Sequence, residues 1–183
     1  MLDTLAAEAL VARLTVDVSR ATAQSAAELS QLLEANSIAR GGELYGDWSE
    51  RVIASWLNDG MQVFVARVDN AIKGALLTSE PHYLKSVPVM RMLEDFEELD
   101  EFYVYGPVCI AVDARGAGLL AKLWEAARSF YGKRRAVLFI NQANGASLAA
   151  HARLGMVQLG AFQAAGQNYF TFTSEALSDT GNA

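Results

Sequence analysis

The stretch Val108-Cys109-Ile110-Ala111-Val112-Asp113-Ala114-Arg115-Gly116-Ala117-Gly118-Leu119-Leu120 decides the reading of this chain. Its first five residues are apolar, as in a buried strand. Its end opens a pattern in which Leu119, Leu123, Ala126, Ala127 and Phe130 fall on one helical face. A strand that runs through Arg115-Gly116-Ala117-Gly118 straight into a helix leaves several amide protons unpaired at the positive end of the helix dipole. Such an end attracts phosphate. Glycine at 116 and 118 lets an anion approach the backbone and permits the dihedrals of a tight anion-binding turn, and Arg115 adds a positive charge. A Gly-x-Gly turn also serves simply to redirect a chain. Other phosphate loops fit worse: no Lys-Ser or Lys-Thr pair follows the glycines, and the third glycine and downstream acid of a dinucleotide fingerprint are not in place.

Outward from this turn the sequence mixes β and α patterns with no repeat and no linker, so one domain over residues 1–174 is expected, with a disordered tail at 175–183. Leu14, Val16 and Val18 alternate in a strand from Ala12 to Val18, and Thr22 to Glu34 carries helical spacing. A second helix spans about Ser49 to Leu57, burying Val52, Ile53 and Trp56, and Asn58-Asp59-Gly60 ends it. Gln62 to Val68 and Ile72 to Thr78 read as strands joined by a tight Asp69-Asn70 hairpin turn. Pro88 suits a first helical turn, and Val89, Met92, Leu93, Phe96 and Leu99 then recur at helical steps. Phe102 to Val112 is the longest strand candidate, with a break or bulge at Gly106-Pro107, because proline cannot donate to a central ladder. After the Gly118–Tyr131 helix come a strand at Ala136 to Ile140, an Ala-rich helix from Asn144 to Leu154 closed by Gly155, and strands at Met156 to Ala161 and Asn168 to Thr173.

The 183 residues are 52% hydrophobic and 20% charged, enough for one ordinary core. The start of the chain lacks the basic segment and apolar run of a signal peptide, and no stretch is apolar enough to span a bilayer, so a soluble cytoplasmic protein without a membrane partner is expected. One cysteine, Cys109, and two histidines, His82 and His151, make a disulfide impossible within the chain and a metal site improbable. A net charge of −6 repels a nucleic-acid backbone and favours a cationic or neutral partner. Any anion must therefore be met by local groups such as backbone amides.

Asn144, Ser147 and His151 sit at offsets of zero, three and seven, which places three polar groups on one face of an otherwise apolar helix. They read either as a shared polar stripe that needs a partner, or as a helix cap, a hydroxyl bonded back to its own helix and a satisfied core histidine.

Together, Val108 to Val112, Arg115-x-x-Gly118 and Asn144-x-x-Ser147-x-x-x-His151-x-x-x-Gly155-Met156 resemble the GNAT superfamily of acyl-CoA N-acyltransferases, most strongly over residues 101–160. The resemblance implies an α/β (α+β) fold with a central, mixed, mostly antiparallel sheet of six to seven strands, splayed at a bulged fourth strand. It implies transfer of an acetyl or other acyl group from acetyl-CoA, without a metal, directly to a small-molecule or peptide amine acceptor. Arg115, Gly116, Ala117, Gly118, Leu119 and Leu120 would then hold the cofactor phosphates. Ile110 and Val112 would offer backbone groups to its pantetheine arm, and Asn144 and Ser147 would face that arm. Leu120 stands where the family has glycine or alanine, though its amide can still donate. His151 stands where the family usually has a tyrosine that assists sulfur departure, a task an imidazole can perform as an acid.

Residues 82–100 place a helix where many members have a short turn, near the expected acceptor site. Glu94, Asp95, Glu97, Glu98, Asp100 and Glu101 make that region acidic, which suits guidance of a cationic amine and equally suits a solvated face. Glu98, Glu101 or a water is the candidate base. By alternation Tyr103 and Tyr105 share a side with Cys109 and would line the acceptor pocket if the bulge preserves phase. Cys109 reads as a buried small hydrophobe, so no covalent enzyme intermediate is expected. Two rival readings use the same fold. One is a catalytically inactive acyl-CoA-binding sensor. The other is a protein-interaction module, such as a homodimer, that offers Met90, Met92 and Phe96 to its partner.

Overall fold

The computed structural model describes residues 15–81, 83–94 and 101–175. In chain order the elements are β1 (Val16–Arg20), α1 (Ala26–Ala35), α2 (Glu50–Asn58), β2 (Gln62–Val68), β3 (Ala71–Ser79), α3 (Val87–Glu94), β4 (Phe102–Ile110), α4 (Leu119–Tyr131), β5 (Arg135–Asn141), α5 (Gly145–Arg153), β6 (Val157–Ala164) and β7 (Gln167–Thr173). The expected strand start at 12–14, the helix end at 95–99 and the tail from 176 lie outside the described residues, as do His82, Asp95, Phe96, Glu97, Glu98, Leu99 and Asp100.

One seven-stranded sheet has the order β1-β2-β3-β4-β5-β7-β6. Every pairing is antiparallel except β4 with β5, which α4 links as a crossover. The β2–β3 hairpin closes as expected through Asp69 and Asn70, both in the left-handed region at φ 48° and 69°, the geometry of a turn that matches strand twist.

Alternate residues of β2 and β3 feed different cores. Phe64, Ala66 and Leu76 face α4, with Leu119, Leu123, Ala127 and Tyr131 packed on them. Val63, Val65, Ala75 and Leu77 face α1 and α2, with Leu29, Leu33 and Ile53. On that second side, further along the sheet, Met92 of α3 is fully buried with Val104, Val137 and Phe162. Met92 is thus a core residue and not one offered to a partner, which corrects the interaction-module expectation; Met90 remains 47% exposed. A smaller correction concerns α4, where Phe130 is 46% exposed while Trp124 and Tyr131 turn inward. Among the described residues no helix is long and apolar enough to cross a membrane.

Leu123 has no exposed surface and fixes α4, and hence the turn before it, to the sheet. Leu123→Ala is expected to lower unfolding free energy by about 2–5 kcal/mol, measured as a shift of the denaturant midpoint at unchanged slope.

Candidate functional site

β4 and β5 pair over three rungs only, Phe102↔Arg135, Tyr103↔Ala136 and Val104↔Val137. Beyond them β5 stays with β7 as far as Asn141, β4 stays with β3 as far as Ile110, and the two halves of the sheet part. The expected bulge is the cause. Between the rungs Thr78↔Tyr105 and Leu76↔Val108, β4 spends Gly106 and Pro107 against the single residue Leu77. Pro107 has no amide to donate, Gly106 takes φ 112°, and the peptide joining them is cis. Such an insertion bends the strand. Past it, the Ala111 amide donates to the Lys73 carbonyl at 2.8 Å, so the alternate residues Val108 and Ile110 turn their main-chain groups away from β3 and into the opening.

The glycine turn lies at the end of this strand. Val112–Ala114 form one 3₁₀ turn, Gly116 and Gly118 take φ 80° and 74°, and Gly118 caps α4. These left-handed values explain the glycines, because a side chain there would meet no neighbour within 4 Å. The first helical bond is Lys122 amide to Gly118 carbonyl at 3.3 Å. Among the described residues, no protein acceptor pairs with the amides from Gly116 to Ala121.

Two struts hold the turn. The Lys73 ammonium meets Asp113 at 2.6 Å, and its hydrogen bond holds that carboxyl below the usual carboxylate range. The Arg115 guanidinium donates to Asn36 Oδ1 at 3.1 Å and to the Ile110 carbonyl at 3.4 Å. Arg115 thus ties the turn to the end of α1, and its exposed guanidinium keeps its charge beside the turn. Val112 lies just beyond β4, is 72% exposed, and its carbonyl accepts the Arg115 amide at 3.4 Å, while Val108 and Ile110 are the residues of β4 itself whose main chain faces the opening.

On α5 the local capping reading holds for Asn144, whose Oδ1 accepts the Ser147 amide at 3.0 Å. His151 is 2% exposed, and its Nδ1 lies 2.8 Å from the Ser147 carbonyl and 3.3 Å from the Ser147 hydroxyl. A carbonyl can only accept, so Nδ1 carries the proton and Nε2 presents a lone pair. That Nε2 is buried without a partner among the described residues, as is the Tyr105 hydroxyl. The two rings meet edge to face at 5.6 Å. An unmet buried polar group costs about 1–3 kcal/mol, a cost that a bound partner at this end of the opening would remove. His151 is therefore not the satisfied core histidine of the alternative reading.

Tyr103 and Tyr105 face α4 with Val108 and Ile110, whereas Cys109 faces α1, where its Sγ lies 3.8 Å from the Leu32 carbonyl. The extra residue in the bulge shifts the alternation by one, which corrects the expectation that the tyrosines share a side with Cys109. Tyr103 is fully buried and stacked on Tyr131 at 3.7 Å, inside the paired part of β4. Burial raises the phenol pKa of both tyrosines. Glu101 is exposed at φ 51°, and the three paired rungs stand between it and the opening. Glu98 lies outside the described residues. Val108, Lys73 and Asn36 escaped the sequence reading; the first needed the bulge phase, and the other two act across 40 and 79 positions.

No family model matches the chain, and no curated protein matches it. Solved structures do. An acetyltransferase of the GNAT family from Streptococcus pneumoniae superimposes with a TM-score of 0.64 at 15% identity, covering 87% of this chain and 99% of that one. A proposed acetyltransferase from Acinetobacter baylyi gives 0.69 at 16% identity, covering 95% and 99%. A proposed acetyltransferase from Salmonella typhimurium, solved with its cofactor acetyl-CoA, gives 0.66 at 15% identity, covering 92% and 98%. The fold of this chain is thus that of the GNAT acetyltransferases.

Burial holds the His151 pKa below its ordinary value, against the opposing pull of the Ser147 carbonyl. The unfolded chain takes up this proton near about pH 6.5, and the folded chain only at lower pH. The contribution to stability is complete above the unfolded value and is lost as pH falls toward the folded one. His151→Phe is expected to flatten the decline of melting temperature between about pH 7 and pH 5, read by scanning calorimetry across that range.

Proposed function

We propose that the chain is an N-acetyltransferase that binds acetyl-CoA along the opening between β4 and β5 and transfers its acyl group directly to an amine of a small molecule or peptide. The observation that carries this reading is the parting of β4 from β5 immediately before a turn whose amides, from Gly116 to Ala121, have no protein acceptor among the described residues. The fold of the neighbours adds support, as does the acetyl-CoA in the Salmonella protein.

The residues present fit such a cofactor. Amides of Gly116, Ala117, Gly118, Leu119 and Leu120 gather at the positive end of α4, where a pyrophosphate is stabilised despite the overall charge of −6. Leu120 serves as well as a smaller residue because its amide, not its side chain, does the work. Main-chain groups of Val108 and the Ile110 amide act as a strand edge for an extended arm. Asn144 uses its Oδ1 as the helix cap and keeps its amide nitrogen for the same arm. When bound, acetyl-CoA supplies an acyl carbonyl already activated as a thioester.

Given that activation, the protein's task is placement. Holding the amine and the carbonyl in one cleft contributes much of the acceleration, and strand amides along β4 polarise the carbonyl. His151 stands at the sulfur end, on α5. Cys109 takes no part: burial pushes its thiol up to about 12, and it faces away from the opening.

The test is calorimetric titration with acetyl-CoA of the wild type, Gly118→Asp and Gly118→Asn. Both side chains tolerate left-handed geometry, so the pair separates charge from strain. Micromolar binding by the wild type is expected, weakened at least about tenfold more by Asp than by Asn, since a like charge beside the phosphates costs roughly 1–2 kcal/mol. Equal affinities in all three proteins would remove the turn from the site.

A further inference from the structure

On one side of the sheet the β5 wall of the opening is aromatic. Alternation sends Leu138 and Ile140 of β5 into the core beneath α4, and Val137 and Phe139 toward the side that carries α1 and α3. Val137 is the last residue of β5 with a β4 partner, so Phe139 is the first side chain on its side with no strand along its β4 flank. Two residues on from the rung Val104↔Val137, its partner would be Gly106, the residue at which β4 departs. Gly106 has no side chain to cover the ring, and a Cβ there would meet no atom within 4 Å. Phe139 is accordingly half-buried, whereas Val104 and Val137 are 3% and 0% exposed.

Two further rings back this one. Phe139 meets Phe162 of β6 at 5.8 Å and Tyr169 of β7 at 5.1 Å, both edge to face, and those two stack at 5.3 Å and 24°. Phe162 is buried in the cluster that Met92 of α3 completes, and Tyr169 is half-buried. The flank left uncovered in this cluster is thus the one that borders the opening.

The opposite side of the opening is occupied. Tyr105, Trp124 and His151 interlock there edge to face at 3%, 7% and 2% exposure, and the α4 turn and Asn144 stand on the same side. An amine that is to reach a thioester in the opening therefore comes from the α1 and α3 side, past Phe139. The walls it passes lack negative charge: β4, β5, β6 and β7 contain no aspartate or glutamate, and Glu94, the single acid of α3, is tied to Arg91 at 3.3 Å. The three rings also pack on one another, leaving no space among them for an ammonium to enter as it would an aromatic cage. They present an apolar flank, on which a flat apolar group gains by buried area and by ring contact.

We infer that the acceptor is an amine that carries an aromatic group, seated against Phe139 with Tyr169 and Phe162 behind it. The inference rests on the acyl-CoA reading of the opening and names the substrate class within it. The transfer itself is unaltered. The C–N bond forms as the C–S bond breaks, and the amine sheds one proton while the departing thiolate gains one.

The test is calorimetric titration of the protein saturated with CoA, using phenethylamine and putrescine, one amine with a ring and one with a second charge in its place. The wild type is expected to bind phenethylamine at least about tenfold more tightly. Phe139→Ala is expected to bring the two amines within about twofold while its affinity for CoA, bound against the other side of the sheet, stays that of the wild type. Phe139→Leu, which keeps apolar volume without the ring, replaces it if the alanine protein does not fold, with the same loss of preference expected. Equal affinities, a preference for putrescine or binding of neither amine by a wild type that binds CoA overturns the aromatic acceptor, as does a Phe139 variant that keeps the full preference. A wild type that does not bind CoA overturns the acyl-CoA reading itself, and the acceptor assignment with it.

Discussion

Between the rungs Thr78↔Tyr105 and Leu76↔Val108, two residues of β4 must be accommodated against one of β3, and one of those two is a proline with no amide to contribute. A strand in this position cannot stay in register with both neighbours. It keeps β3, through Gly74↔Ile110, and gives up β5 after Val104. β5 in turn keeps β7, so the sheet divides into two halves joined by three rungs. The opening is therefore a property of the backbone. It is set by the bulge, and it leaves the main-chain groups of Val108 and the Ile110 amide facing away from β3, with the Ile110 carbonyl accepting from Arg115.

The same strand ends in the glycine turn, whose position relative to the opening is fixed from both sides of the sheet. Leu119 and Leu123 anchor α4 to one face. On the other side Arg115 reaches Asn36 at the end of α1, and Lys73 of β3 reaches Asp113. These side chains hold the backbone of the turn, and the amides from Gly116 to Ala121 keep no protein acceptor among the described residues. An acidic protein can meet an anionic ligand in this way because the attraction is local and dipolar and does not come from net charge.

Much of this was legible locally. The period of α4, the Asp69-Asn70 hairpin and the break at Gly106-Pro107 each rest on a handful of neighbouring residues, and each is present. The polar stripe of Asn144, Ser147 and His151 was also visible, because helical geometry alone places the three together. What local pattern could not supply was phase and partnership. Strict alternation put Tyr105 beside Cys109, and the bulge sends Cys109 to the opposite core. Met92 has the spacing of a surface helix residue as readily as that of a core one, and only the packing of α3 beneath Val104 and Phe162 decides it. That Arg115 also braces the turn shows only when Asn36, 79 residues away, is found beside it. The proton on His151 is likewise invisible in sequence, since it follows from one carbonyl 2.8 Å from Nδ1.

The claim that the parted strands and the amide-lined turn form one cofactor site is tested most directly by following backbone amide resonances during an acetyl-CoA titration. The expected result is a continuous track of shifts through Val108, Ile110 and Gly116 to Ala121, extending to Ser147 and His151. Shifts confined to the other end of α4, around Gln62, Ser79 and Phe130, or no shifts at all, would contradict it.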